Sequence, residues 1–189
     1  RIGDAISESE LSLVRVDSEY FGGVRNGGVK FILDGSPQGR TAWMSQPYNE
    51  GPPGSGSNYA GYPSYLPDYY RKNAASMLAR GIPILVHANG DAAIELMIDG
   101  IDEAFDGREV PDHRSVIIHA QLIREDQLDR VKELGILPSY YAAHPYFWGD
   151  WHRLSFGDSR ASFISPLKAT IDRDIPYTVH NDSPIVPPD

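Results

Sequence analysis

Four residues of the kind that hold metals or move protons recur at regular intervals: Lys30, His87, His119 and Asp182. The intervals are 57 residues from Lys30 to His87, 32 to His119 and 63 to Asp182. A strand–helix unit of an eightfold barrel occupies about 30 residues. One unit therefore separates the two histidines and two units separate His119 from Asp182, while the first interval holds one unit and a long loop. On parallel strands of a barrel such positions converge on one mouth, where active sites are built. The chemistry of the set is coherent. Neutral imidazoles are good zinc ligands. A carboxylate beside them can ligate metal or take a proton from bound water. A lysine ammonium is no ligand as it stands, but its amine carboxylated to a carbamate offers two oxygens that can bridge a metal pair. Singly, each residue has a plainer reading: a structural strand-end histidine, or a lysine snorkelling at a barrel end. The register they share argues for a site.

These residues need strands to carry them. Val29 to Leu33, Ile82 to His87, Ser115 to His119, Gly135 to Ser139 and Ile175 to His180 are short apolar runs bounded by turn residues, and read as buried strands. Lys30 thus lies inside a strand that reads as buried. Helical patterns fall between them. Asp91 caps a predicted helix to about Phe105, with Ile94, Met97, Ile98, Ile101 and Phe105 on one face. Arg124 to Leu134 stops at Gly135. Asp68 to Arg80 and Arg160 to Arg173 are further predicted helices. Strand and helix alternate, which means an α/β chain with a parallel sheet. Two stretches break the rhythm, the Gly/Pro-rich Gly35 to Pro67 and the aromatic Tyr140 to Gly157. Both follow strands and read as long loops at the functional end of the sheet. His113, after Pro111-Asp112, reads as a surface loop residue. A flavodoxin-like open sheet is the rival fold, and it leaves the 30-residue register unexplained.

The composition bounds the function classes. The chain has 189 residues with 17 Lys and Arg against 26 Asp and Glu, a net charge of −9. That argues against nucleic acid or an anionic membrane as partner. Cysteine is absent, which excludes disulfides, thiolate zinc sites and a Cys nucleophile. No apolar run nears the roughly 20 residues of a membrane span. There is no P-loop, G-x-S-x-G elbow, H-E-x-x-H or G-x-G-x-x-G. The expected partner is a small-molecule substrate. A homo-oligomer is compatible with the sequence, and the compartment is open with the cytoplasm favoured.

The segments Val29-Lys30-Phe31 with Leu33-Asp34-Gly35-Ser36, Val86-His87-Ala88-Asn89-Gly90-Asp91, Ile118-His119-Ala120-Gln121 and His180-Asn181-Asp182-Ser183-Pro184 occur in an order that resembles the amidohydrolase superfamily. Within it they resemble the amidohydrolase-3 group with its N-substituted formamide deformylase-like enzymes. His144-Pro145-Tyr146-Phe147-Trp148-Gly149-Asp150-Trp151-His152 is similar to a loop of that branch. The resemblance implies a (β/α)₈ TIM barrel holding one or two divalent ions, usually zinc. It implies Lys30 as the fourth-strand lysine carboxylated in many members, His87 and His119 as fifth- and sixth-strand ligands, and Asp182 as the eighth-strand aspartate that binds metal and handles the proton of the hydrolytic water.

The family's first-strand His-x-His pair does not occur, nor does its small β-domain. The expectation is a partial barrel, approximately strands 4 to 8, with residues 1–189 forming part of one metal-dependent hydrolase domain of a larger protein. The resemblance further implies hydrolysis of a C–N bond of amide or N-substituted formamide type, with His144, Trp148, Tyr140 and His180 shaping the substrate pocket. A lactone, ester or deamination substrate at the same site is one alternative. A non-catalytic interaction module is another.

Overall fold

The computed structural model describes residues 6–185. After a short helix α1 (Glu8–Leu11) the chain runs β1 (Val29–Ile32), α2 (Pro67–Leu78), β2 (Ile84–Ala88), α3 (Asp91–Phe105), β3 (Val116–His119), α4 (Glu125–Glu133), β4 (Leu137–Tyr140), α5 (His144–Ala161), α6 (Leu167–Asp172) and β5 (Thr178–Val179). The five strands form one sheet in the order β1-β2-β3-β4-β5, and every neighbouring pair is parallel. Chain-order parallel pairing with intervening helices is the arrangement of a partial (β/α)₈ barrel. No helix among the described residues is long and apolar enough to cross a membrane.

The helix side of the sheet carries the core. Ile94, Met97, Ile98 and Ile101 of α3 are fully buried, as are Ile84 and Val86 of β2 and Ile117 of β3. Their three- and four-residue spacing on α3 made that helix legible, and its bounds match the expectation. The opposite face of the sheet is open. Lys30 and Ile32 are exposed on β1, whereas Phe31 between them is buried. The expectation that Lys30 lies inside a buried strand is therefore corrected: alternation places it on the exposed face of the strand, opposite Phe31.

The aromatic stretch is not a loop. Residues 144–161 are helical, with two breaks at Trp148 (φ −132°) and Gly157 (φ 77°). Pro145 sits in the first turn, where its missing N–H is harmless. The predicted helix Arg160 to Arg173 is instead the end of α5 and the separate α6. Two further readings change. His113 is buried, with Nε2 at 2.8 Å from the Leu134 carbonyl and Nδ1 accepting from the Ser115 amide. Asp91 caps nothing with its side chain. Gly90 is the N-cap of α3, and the Asp91 carboxylate accepts from the Ser45 amide and hydroxyl and from Arg124. Arg124 also bonds Glu95, which receives Gln127 and Arg130 as well. This network joins the Gly/Pro-rich stretch, α3 and α4.

That stretch is held down closely over the strand ends. A Cβ added to Gly90 would lie 2.0 Å from the Trp43 carbonyl oxygen. The obstacle is backbone, so no rotamer change relieves it. Gly90→Ala is expected to destabilise the chain by about 3 kcal/mol through overpacking, read as a lower urea midpoint. An unchanged midpoint would refute so close an approach.

Candidate metal centre

The site lies where the strands end. Register pairs Ile32 with His87, Ala88 with His119, and His119 with Tyr140, so these residues stand in two adjacent rows at the strand ends. The chain returns beside them after β5, with the His180 amide bonded to the Tyr140 carbonyl at 3.0 Å. One ligand atom each from His119, His180 and Asp182 lies within 4.8 Å of the others. His180 Nε2 is 3.2 Å from His119 Nδ1, and its Nδ1 is 2.9 Å from the Ser139 hydroxyl. Two imidazoles and a carboxylate at that spacing suit the nitrogen and oxygen preferences of a divalent ion such as zinc.

His87 stands beside this group, not in it, with its ring centroid 4.7 Å from that of His119. Its Nε2 is 3.1 Å from the Gly35 carbonyl oxygen. The Asn89 side-chain amide nitrogen lies 3.0 Å from the same Nε2 and 2.8 Å from the same carbonyl, so these two neighbours together hold the ring at that edge. Lys30 acts on His87, His119 and His180 through its charge. A cavity of about 210 Å³ borders the group. His87, His119 and Asp182 line it, and His144, Trp148 and Asn89 are among its other lining residues. The helical break at Trp148 coincides with the position that meets this cavity.

Tyr140 is not among the cavity's lining residues. It is fully buried in the core, and its hydroxyl is 2.8 Å from that of Thr170. Tyr141 is the tyrosine on the site side, in ring contact with His144, Trp148 and His180. Adjacent residues at a strand end face opposite ways, so an error of one position exchanges core for site.

Asp34, part of the Leu33-Asp34-Gly35-Ser36 segment, is assigned no role by the sequence, because Asp-Gly after a strand reads as a turn. It is 1% exposed and accepts three backbone N–H bonds, from Trp43, Asn89 and Gly90. Burial pushes its carboxyl up to about 7 against the pull of those three amides. It moulds the loop and lies 3.7 Å from His87 Nε2.

The imidazoles shift the other way. Burial lowers His119 to about 3, assisted by His87, His180 and Lys30. Burial lowers His144 to about 2 and His152 to about 4. An unfolded chain protonates all three below about 6.5, so it binds protons that the folded state refuses. Stability is then lost as pH falls through about 6.5. Asp34 opposes this, since its raised value makes the folded state the proton binder between about 4 and 7. Three groups against one predict an uptake of at least about two protons on unfolding of the metal-free chain near pH 5. His87 and His180, also lowered by burial, act in the same direction. Urea midpoints should therefore be lower at pH 5 than at pH 7, and equal midpoints would overturn the assignment.

Fold and site together define a β/α-barrel protein with a histidine–carboxylate centre at the C-terminal ends of its strands. The sequence matches the Amidohydrolase family over residues 10–189, and the chain belongs to that family. It is 27% identical over 171 residues to YtcJ of Bacillus subtilis strain 168, a protein provisionally named an amidohydrolase, covering 88% of this chain and 30% of YtcJ. It is similar to the crystal structure of an uncharacterized metal-dependent hydrolase from Pyrococcus furiosus, with TM-score 0.76 and 29% identity over 95% of this chain and 35% of that one. A second such hydrolase, from Pyrococcus horikoshii OT3, gives TM-score 0.69 and 27% identity over 86% and 31%. The chain thus spans about a third of the length of these relatives.

Proposed function

We propose that the chain is part of one barrel domain of a metal-dependent hydrolase that cleaves a C–N bond, of amide or N-substituted formamide type, in a small molecule. The observation that carries this reading is the convergence of His119, His180 and Asp182 at the strand ends. A divalent ion held there, zinc in this reading, supplies Lewis acidity that polarises a carbonyl and makes water a nucleophile near neutral pH. His119 and Asp182 serve as ligands with His87 beside them. His180, first expected to touch substrate, joins the ligand set. A carbamate on Lys30 would add oxygen ligands.

Asp182 takes the proton of the attacking water and delivers it to the leaving nitrogen. A carboxylate has two oxygens, so ligation by one leaves the other for this task. His144 and Trp148 border the space for the substrate. The buried imidazoles stay neutral, which keeps their lone pairs and limits the charge facing the substrate. The experiment is a substrate comparison on the zinc-loaded full-length enzyme, setting N-formyl amines and simple amides against lactones of matched size. Turnover of the C–N substrates is expected to exceed that of the lactones. Preference for the lactones would replace the C–N reading, and no metal-dependent turnover of either would remove the hydrolase assignment.

A further inference from the structure

Four buried polar atoms gather behind the cavity without a hydrogen-bond partner in the protein: Gln121 Oε1, Tyr141 Oη, His144 Nδ1 and His152 Nδ1. Their residues are each no more than 3% exposed. They are also contiguous. Gln121 Nε2 is 3.4 Å from His152 Nε2. The rings of His152 and His144 are 6.0 Å apart, and those of His144 and Tyr141 are 4.1 Å apart. Leaving such an atom unsatisfied is costly, so four in one cluster point to a shared partner. A buried water with two to four polar neighbours is the usual one.

Hydrogen-bond direction can be followed through the cluster. An amide nitrogen only donates, so Gln121 Nε2 makes His152 Nε2 an acceptor. A neutral imidazole has one proton, which must then sit on His152 Nδ1. At a ring separation of 6.0 Å that N–H does not reach His144 directly. A water accepting it can donate onward to His144 Nδ1. His144 then carries its own proton on Nε2, and His144 lines the cavity with His119 and Asp182.

We propose that Gln121 and His152 are positioning residues that fix His144 as its Nε2–H tautomer through a buried water, so that His144 presents a hydrogen-bond donor to the cavity beside Asp182. The group it serves is an acceptor, the carbonyl oxygen of the substrate. That last step rests on the hydrolase reading, and the tautomer itself does not.

The test uses the whole metal-free chain with ¹⁵N-labelled histidine. Two-bond ¹H–¹⁵N correlation at pH 7.5 reports each imidazole's tautomer, and loss of one pattern in His144→Gln assigns His144. The wild-type chain is expected to show His144 as Nε2–H alone. His152→Phe fills the space without a polar atom and should turn that signal into a mixture of tautomers. Gln121→Glu offers only acceptors, so it reverses the direction of every bond and should move His144 to Nδ1–H. Should Gln121→Glu fail to fold by circular dichroism, His152→Phe decides alone. A wild-type His144 that is mixed or Nδ1–H overturns the proposal, as does an unaltered Nε2–H pattern in His152→Phe. A failed substrate comparison with these tautomers intact removes the hydrolase reading and leaves the relay standing. The converse result removes only the relay.

Discussion

Replacing His119 with alanine is expected to weaken zinc binding at least about a hundredfold, since losing even an outer-shell partner of a ligand costs about 10- to 100-fold. His119 is the middle residue of the site, with its ring centroid 4.7 Å from His87, 5.0 Å from His180 and 6.3 Å from His144. Its backbone sits at the last position of β3, between Ala88 and Tyr140 in register. Competition against a chromophoric chelator measures the affinity, and circular dichroism checks that the variant keeps its fold. Equal affinity in variant and wild type would mean that the ion, if bound, sits elsewhere.

The second large effect concerns proton transfer. Asp182→Asn keeps an oxygen able to ligate but loses the second acceptor, and the amide cannot hold a proton at neutral pH. In the full-length, metal-loaded enzyme it should lower kcat roughly 10²–10⁴-fold, the usual contribution of a positioned acid–base group. Metal content should stay near that of the wild type. This pairing of lost turnover with retained metal separates Asp182 from His119, whose loss removes both. Unchanged turnover in Asp182→Asn would end its role as base.

What could be read from residues alone follows from physical range. The helix Asp91–Phe105 was legible because burial repeats along it at helical spacing. The histidines at the strand ends were legible because βα units have a nearly constant length. The stretch Tyr140 to Gly157 reads as a loop because it follows a strand and is dense in aromatics, although Pro145 stands in the first turn of a helix and Gly157 marks a real interruption. The roles of Asp34 and Asp91 are illegible for another reason. Their partners, the amides of Trp43 and Ser45 among them, lie on the long Gly/Pro-rich stretch, and no local pattern announces where it folds back. The approach of His180 to His119 is not legible, since a tail after a two-residue strand carries no register of its own.

That two-residue strand has a mechanical consequence. Both side chains of β5 are exposed, and its register with β4 covers only Ser139 with Thr178 and Tyr140 with Val179. The contact between His180 Nε2 and His119 Nδ1 joins residues 61 positions apart. Closing so long a loop costs little more than closing one half its length, because the penalty grows only with the logarithm of length. An ion held there would therefore act as a clasp. Whatever holds His119, His180 and Asp182 together also fastens the last strand to the middle of the sheet. Under load the chain would let go of β5 first, and loading the site would raise the force needed.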